Sequence, residues 1–293
     1  MRPTKRIGPS SPERQADPMR AVSIADWHSS RLELMRRIIL LMVSLVGMVL
    51  VLLWGTGVEA GHPESQANSA GGDVRALLID GERLDFEILY GSIPAGRATL
   101  EVKERADSDG EVYRIVSRAR SNSVVSLFFE VNDVIVSEVD AESSEPLFFE
   151  KRLREGPLER DEWAVYEPRG VVKTEKSEYR IEPGTRDILS ALYYVRGHDL
   201  EVGDELVIKA FEGGRSYDAR IRVLRRETVS TGRGDYDCLV IEPDIVEGVF
   251  AKTGRLLIWL TDDALKIPVL VKSKVAVGSF IARLIGSTHG EGV

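Results

Sequence analysis

The sequence is poor in the residues that build metal and redox sites. It holds one cysteine in 293 residues, which excludes an internal disulfide framework and any cysteine-rich zinc site. Its four histidines stand at positions 28, 62, 198 and 289, and only His198 falls within the region that reads as folded. Histidine-based metal or triad chemistry is therefore nearly excluded, and no metal and no cofactor are expected. Positive charge is short as well. A formal net charge of -8 argues against nucleic acid as a partner, because neutralising phosphates needs a basic surface. No G-x-S-x-G, P-loop, G-x-G-x-x-G or H-E-x-x-H motif occurs. What remains is ordinary for a globular chain, 43% hydrophobic and 29% charged, which excludes a collagen-like, disordered or multi-span membrane protein.

The charge is unevenly spread. Residues 1–37 carry eight Lys/Arg against four acids, whereas residues 61–293 carry 31 against 42. Between them Ile38–Trp54 is a run of seventeen uncharged residues, extended without charge through Val58. At about 1.5 Å per residue a helix of that length nearly spans a hydrocarbon core of roughly 30 Å. Arg36 and Arg37 would hold its leading end in the cytoplasm. Two readings stand side by side for residues 38–60. One is a retained membrane anchor through residues 38–54. The other is a signal peptide cleaved after Val58-Glu59-Ala60, with Gly55 and Gly57 breaking the helix ahead of the site. Either exports the acidic part, so a periplasmic location is expected, soluble or anchored in the inner membrane. No cysteine follows the apolar run, so attachment as a bacterial lipoprotein is excluded. Residues 1–37 read as a disordered basic extension, 61–79 as a linker, 80–286 as one domain and 287–293 as a tail.

Beyond the linker, apolar and polar residues alternate with the period of half-buried strands. Leu84, Phe86, Ile88 and Tyr90 share one face; Ala98, Leu100 and Val102 share another. Gly91–Gly96 between them carries turn chemistry. Further strands are expected over 112–120, 131–139, 147–154, 162–166, 171–176, 206–211, 217–228, 236–243, 254–260 and 267–277. Gly213-Gly214 suits a two-residue hairpin turn, and Gly232–Gly234 a loop. In the strand from Tyr217, the inner face is Tyr217, Ala219, Ile221 and Val223. One segment breaks this pattern. Asp187 supplies an acceptor at the start of a run with apolar residues at 188, 191, 192 and 195, and Gly197 follows Arg196. That predicts an N-capped amphipathic helix ended by glycine. A short helical turn is possible around Ser123–Phe128. The fold class is therefore mainly β, a curved antiparallel sheet or half-barrel with one main helix.

Candidate chemistry is sparse. Asp262 and Asp263 form a carboxylate pair that could act as general acid and base, or could simply be an acidic turn before Pro268. Cys238 lies in an apolar strand with no cation nearby and reads as a small buried hydrophobe. His198 follows the helix end, where an imidazole meets the terminal carbonyls. Strand 256–260 is apolar on both faces, with Trp259 and Leu257 opposite Leu256, Ile258 and Leu260, so it must be covered twice. Tyr193, Tyr194 and Trp259 are the candidate contacts for an apolar ligand.

Several stretches together resemble a known family. Phe86–Val102, Asp187–Arg196, Ile258–Val269 and Val277–Leu284 are similar to the opening hairpin, central helix and C-terminal pattern of an uncharacterised bacterial exported family, domain of unknown function 3108. The resemblance covers about residues 80–286. One departure is Lys266, where that family more often carries arginine. The resemblance implies a secreted or periplasmic β-rich domain, similar to the curved half-barrels of lipoprotein carriers, with no catalytic residues to carry over. The leading expectation is a non-enzymatic envelope domain that binds lipid or another apolar ligand, or an envelope protein. The alternatives are an enzyme acting on an envelope glycan or lipid through carboxylates, and a structural interaction module.

Overall fold

The computed structural model describes residues 77–107, 110–245, 255–274 and 278–288. The basic extension, segment 38–60 and most of the expected linker lie outside the described residues. Among the described residues no helix is long and apolar enough to cross a membrane.

Fourteen strands form one antiparallel sheet. The first eight are β1 (Arg83–Tyr90), β2 (Ile93–Asp107), β3 (Gly110–Ser121), β4 (Asn132–Asp140), β5 (Pro146–Glu155), β6 (Leu158–Glu167), β7 (Val171–Thr174) and β8 (Glu178–Arg180). The other six are β9 (Glu205–Glu212), β10 (Arg215–Thr231), β11 (Gly234–Ile245), β12 (Leu256–Thr261), β13 (Pro268–Lys274) and β14 (Ser279–Thr288). Among the described residues two helices interrupt them, α1 (Ser123–Ser126) and α2 (Ile188–Arg196). Spatially the order is β8 through β1, then β14 through β9, so every neighbour is a sequence neighbour except β1 with β14. That central ladder aligns Arg83 with Thr288 and Tyr90 with Phe280.

The outer strands β8 and β9 do not pair with each other. Instead the chain leaving β8 meets β9 as a single parallel bridge, Arg186 with Ala210. The Arg186 amide donates to the Lys209 carbonyl at 2.8 Å, and the Phe211 amide donates to the Arg186 carbonyl at 3.0 Å. α2 follows at once, so this helix stands where the sheet leaves off closing.

Turn residues set the hairpins. Gly213 and Gly214 both take positive φ, 59° and 83°, as a primed two-residue turn demands between right-twisted strands. The β1–β2 connection is tighter than the sequence suggests. It consists of Gly91 and Ser92 alone, and β2 begins at Ile93. Gly96 is thus a strand residue rather than part of the turn. A Cβ there would lie 2.3 Å from the Arg120 carbonyl oxygen, and the β1–β2 register shifts beside it, between Ile88 and Leu89. Its use is close backbone approach at a bulge.

Two strands go beyond the alternation pattern: the three-residue β8, too short to show a period, and β14. Buried side chains fall into two apolar clusters, and β12 belongs to both. Leu256, Ile258 and Leu260 enter one cluster while Trp259 enters the other, so the protein itself covers both faces of this strand. At the opposite extreme, Ile93, Val124, Leu127, Phe128 and Leu158 are exposed. The pairings Gly96–Ser121, Arg120–Asn132 and Glu155–Leu158 put them all at one end of the β1–β6 half.

Candidate functional site

α2 is fixed at its start by Asp187. The carboxylate accepts from the Leu189 and Ser190 amides at 2.8 and 3.0 Å, which satisfies two orphan donors of the first turn. It also accepts from the hydroxyls of Ser137 at 2.7 Å and Ser190 at 2.9 Å. Burial pushes the Asp187 carboxyl up, and these four hydrogen bonds oppose that shift. At the far end Gly197 is right-handed at φ -73°, so the stop does not use the left-handed freedom the sequence suggested. His198 finishes the helix, its Nδ1 donating to the Tyr194 carbonyl at 2.7 Å.

One face of α2 is locked to the sheet by a buried ion pair. Arg196 donates through two nitrogens to both Glu82 oxygens, at 2.6 and 3.0 Å, and through Nε to the Leu265 carbonyl at 3.1 Å. Tyr193 donates its hydroxyl to the same Glu82 carboxylate at 2.5 Å, and the guanidinium lies 4.5 Å from the Tyr193 ring centroid. Arg196 and Glu82 side chains are both 0% exposed. A pair this deep persists because each charge is saturated by its partners.

The other face looks onto empty space. A cavity of about 190 Å³ lies between α2, strands β1–β3 and strands β9–β14. Ile188, Leu189, Ala191, Leu192 and Val195 form its helical wall, and Ile208, Ala219 and Ile221 face them from β9 and β10. These include the apolar helix positions and, of the inner face anticipated from periodicity, Ala219 and Ile221 together with Tyr217; Val223 is instead buried in the second apolar cluster. Thr99, Ser117, Glu212 and Tyr217 are the side chains with polar groups in the wall.

Those polar groups include the end of the β9–β10 hairpin. Ile208, Ala210 and Glu212 follow one another on the inner face of β9, and Tyr217 sits across from Ala210. Lys151 forms a short ion pair with Glu212 and a second, at 3.2 Å, with Glu162. The other Glu212 oxygen, Oε2, is buried without a hydrogen-bond partner. Burial raises the Glu212 pKa, while the Lys151 ammonium pulls it back. Glu212 is also part of a smaller recess of about 50 Å³ that includes Trp163 and Tyr179.

The residues singled out from sequence are scattered. Tyr193 is buried against Glu82, Tyr194 packs under the Arg186 guanidinium at 4.0 Å, and Trp259 is buried in an apolar cluster. None of the three lines the cavity. Asp262 and Asp263 are exposed on the β12–β13 turn, not in a recess. Asp262 pairs with Arg226 at 2.6 Å, and Asp263 accepts from the Leu265 and Lys266 amides and the Thr261 hydroxyl. Cys238 is buried, and its thiol is pushed up to about 12, chiefly by burial. Among the described residues no group of three or more His, Cys, Asp or Glu could hold a metal ion.

Sequence reasoning missed Glu82, Lys151, Arg196 and Glu212. Charged residues read as outward by default, and the signal available was position. Glu212 continues the inner-face series Ile208, Ala210, and Arg196 continues the Leu189, Tyr193 row. A further buried pair escaped notice, Asp133 with Glu155. Burial lifts Asp133 to about 6, and burial together with the neighbouring Asp133 charge lifts Glu155 to about 8.

A family model described as "Protein of unknown function (DUF3108)" matches residues 85–285. No curated protein matches the chain. Among solved structures, it is similar to a beta-barrel-like protein of domain of unknown function DUF1849 from Brucella abortus, at 12% identity and TM-score 0.48. That match covers 73% of this chain and 99% of the other. It is also similar to a candidate exported protein with a YmcC-like fold from Bacteroides fragilis, at 11% identity and TM-score 0.34, over 71% of this chain and 96% of that one. A candidate lipoprotein from Parabacteroides distasonis matches at 10% identity and TM-score 0.32, over 71% and 95% respectively.

Proposed function

The chain belongs to the DUF3108 family, and for it we propose a non-enzymatic role in the cell envelope: binding or carrying a small apolar molecule in the cavity beneath α2. The cavity is the observation that carries this reading. At roughly 30 Å³ per water, a space of about 190 Å³ would hold about six waters. Each water needs two to four polar partners, and the wall supplies few, so an apolar occupant is favoured over water. The uncharged run Ile38–Trp54 behind a basic extension supports export of the domain.

The test is native mass spectrometry and thermal unfolding of the purified full-length protein. Co-purifying apolar material, or stabilisation by single-chain lipids, supports the carrier. Saturating ligand at about 100 times its Kd would stabilise by about 2.7 kcal/mol. Replacing Leu192 with Trp fills the space and should abolish the gain while the protein stays folded. Clean apoprotein that gains no stability from any single-chain lipid would end the proposal.

A second reading, an interaction module, draws on the exposed Ile93, Val124, Leu127, Phe128 and Leu158 at one end of the sheet. It predicts that charge at Leu127 and Phe128 abolishes co-purification of an envelope protein and leaves lipid binding intact. The carboxylate route to an enzyme finds no comparable support, since Asp262 and Asp263 are engaged on an exposed turn.

A further inference from the structure

We propose that the occupant of the cavity carries a hydrogen-bond-donating head group, a hydroxyl, amide N–H or amine, seated at Glu212, and that anionic heads are rejected there. This rests on the reading of the cavity as a binding site and specifies its ligand class. The wall is graded. Along β9 it passes from Ile208 through Ala210 to Glu212, and Tyr217 adds a phenol from β10 at the same end. The apolar stretch accepts a hydrocarbon chain, and the Glu212 end accepts whatever terminates it.

The chemistry of that end follows from Glu212. Lys151 holds one of its oxygens as a carboxylate partner, which leaves Oε2 an acceptor. A buried acceptor without a donor is a standing loss, and a ligand donor removes it. An anionic head would find no such welcome. The single ammonium of Lys151 is already divided between Glu212 and Glu162, so an incoming carboxylate or phosphate would face two negative groups against one positive. Glu212 also lines the smaller recess of about 50 Å³.

The experiment is calorimetric titration of the full-length protein at neutral pH with three probes of one chain length: 1-dodecanol, dodecylamine and dodecanoate. The alcohol and the amine should bind at least about tenfold more tightly than dodecanoate, the worth of a hydrogen bond to a charged acceptor. Glu212→Gln should erase or reverse that ranking, because an amide N–H then stands where Oε2 stood. Should that variant fail to fold, Lys151→Met combined with Glu212→Gln removes the stranded ammonium and reads the same ranking. Equal binding of all three heads, or tighter dodecanoate, overturns the head-group assignment and leaves the carrier intact. If no probe binds, the cavity reading falls and this inference with it.

Discussion

The two faces of α2 solve opposite problems with the same nine residues. On one, Tyr193 and Arg196 are sealed against Glu82 with every charge paired. On the other, Ile188, Ala191 and Leu192 are only half-buried although they point inward, packed against the apolar clusters on one side and bordering the cavity on the other. The helix is held by charge and left loose by hydrocarbon, the reverse of the usual division between surface and core. Under the proposed carrier role this arrangement would suit a molecule seated beneath the helix, since the anchor is specific and fixed and the cavity-facing side is non-directional.

Breaking the anchor should have the largest effect. Glu82→Ala strands the Arg196 guanidinium in the interior and should cost about 3–5 kcal/mol in urea unfolding. A loss below about 1 kcal/mol would mean that water replaces the carboxylate and that the anchor is not closed. Next comes Tyr193→Phe, which deletes only the hydroxyl given to Glu82. It should cost about 1.5–3 kcal/mol, the range for a hydrogen bond to a charged group.

On the loose face, Leu192→Ala should cost less than the ~2–5 kcal/mol of a packed leucine, because it enlarges an existing space. A loss as large as that of a core leucine would show that the helix already rests on something, and the contrast between the faces would collapse. These three variants also ask whether ligand affinity follows the anchor, the wall or both.

The pH-dependent part of the comparison lies with Asp133 and Glu155, which have each other where Glu82 has an arginine. Both carboxyls are raised, to about 6 and about 8. The folded state therefore holds their protons more tightly than the unfolded chain does. Their favourable contribution is full in acid, below the ordinary carboxylate range, and is lost as pH rises through about 6 and then about 8. Stability of the wild type should fall across that window, and Glu155→Gln should flatten the fall. A profile unchanged by the substitution would show that the pair exchanges protons with solvent as exposed acids do.

Much of this architecture could be read from residue patterns alone. Alternation placed most of the strands, and the inner face Tyr217, Ala219, Ile221 proved to be cavity wall. Asp187 is the cap it was expected to be, and positions 188, 191, 192 and 195 all face the cavity. What failed has physical causes. Three residues cannot display a period, so β8 was invisible. Gly96 looked like a turn residue because the same absence of Cβ serves turns and close strand approach. The aromatics Tyr193, Tyr194 and Trp259 were natural candidates for ligand contact, yet none lines the cavity: Tyr193 bonds Glu82, Tyr194 packs under Arg186 and Trp259 is buried in an apolar cluster. Buried charge was the largest omission. Only their place in an inward-facing series distinguishes Arg196 or Glu212 locally from a solvated residue, since the partner of each is distant in sequence, Glu82 in one case and Lys151 in the other.

The pairing of β1 with β14 has a consequence for how the chain assembles. Every other ladder joins consecutive strands and can form as a local hairpin, whereas this one aligns Arg83 with Thr288 and must wait for both halves. Read in space from β9 to β14 and on from β1 to β8, the sheet is an uninterrupted meander whose two ends are the strands flanking α2. A circular permutant joined across Arg83 and Thr288 and opened between β8 and α2 would convert the one long-range ladder into a hairpin. Every ladder of its sheet would then form as a local hairpin, and the helix would become a terminal strap.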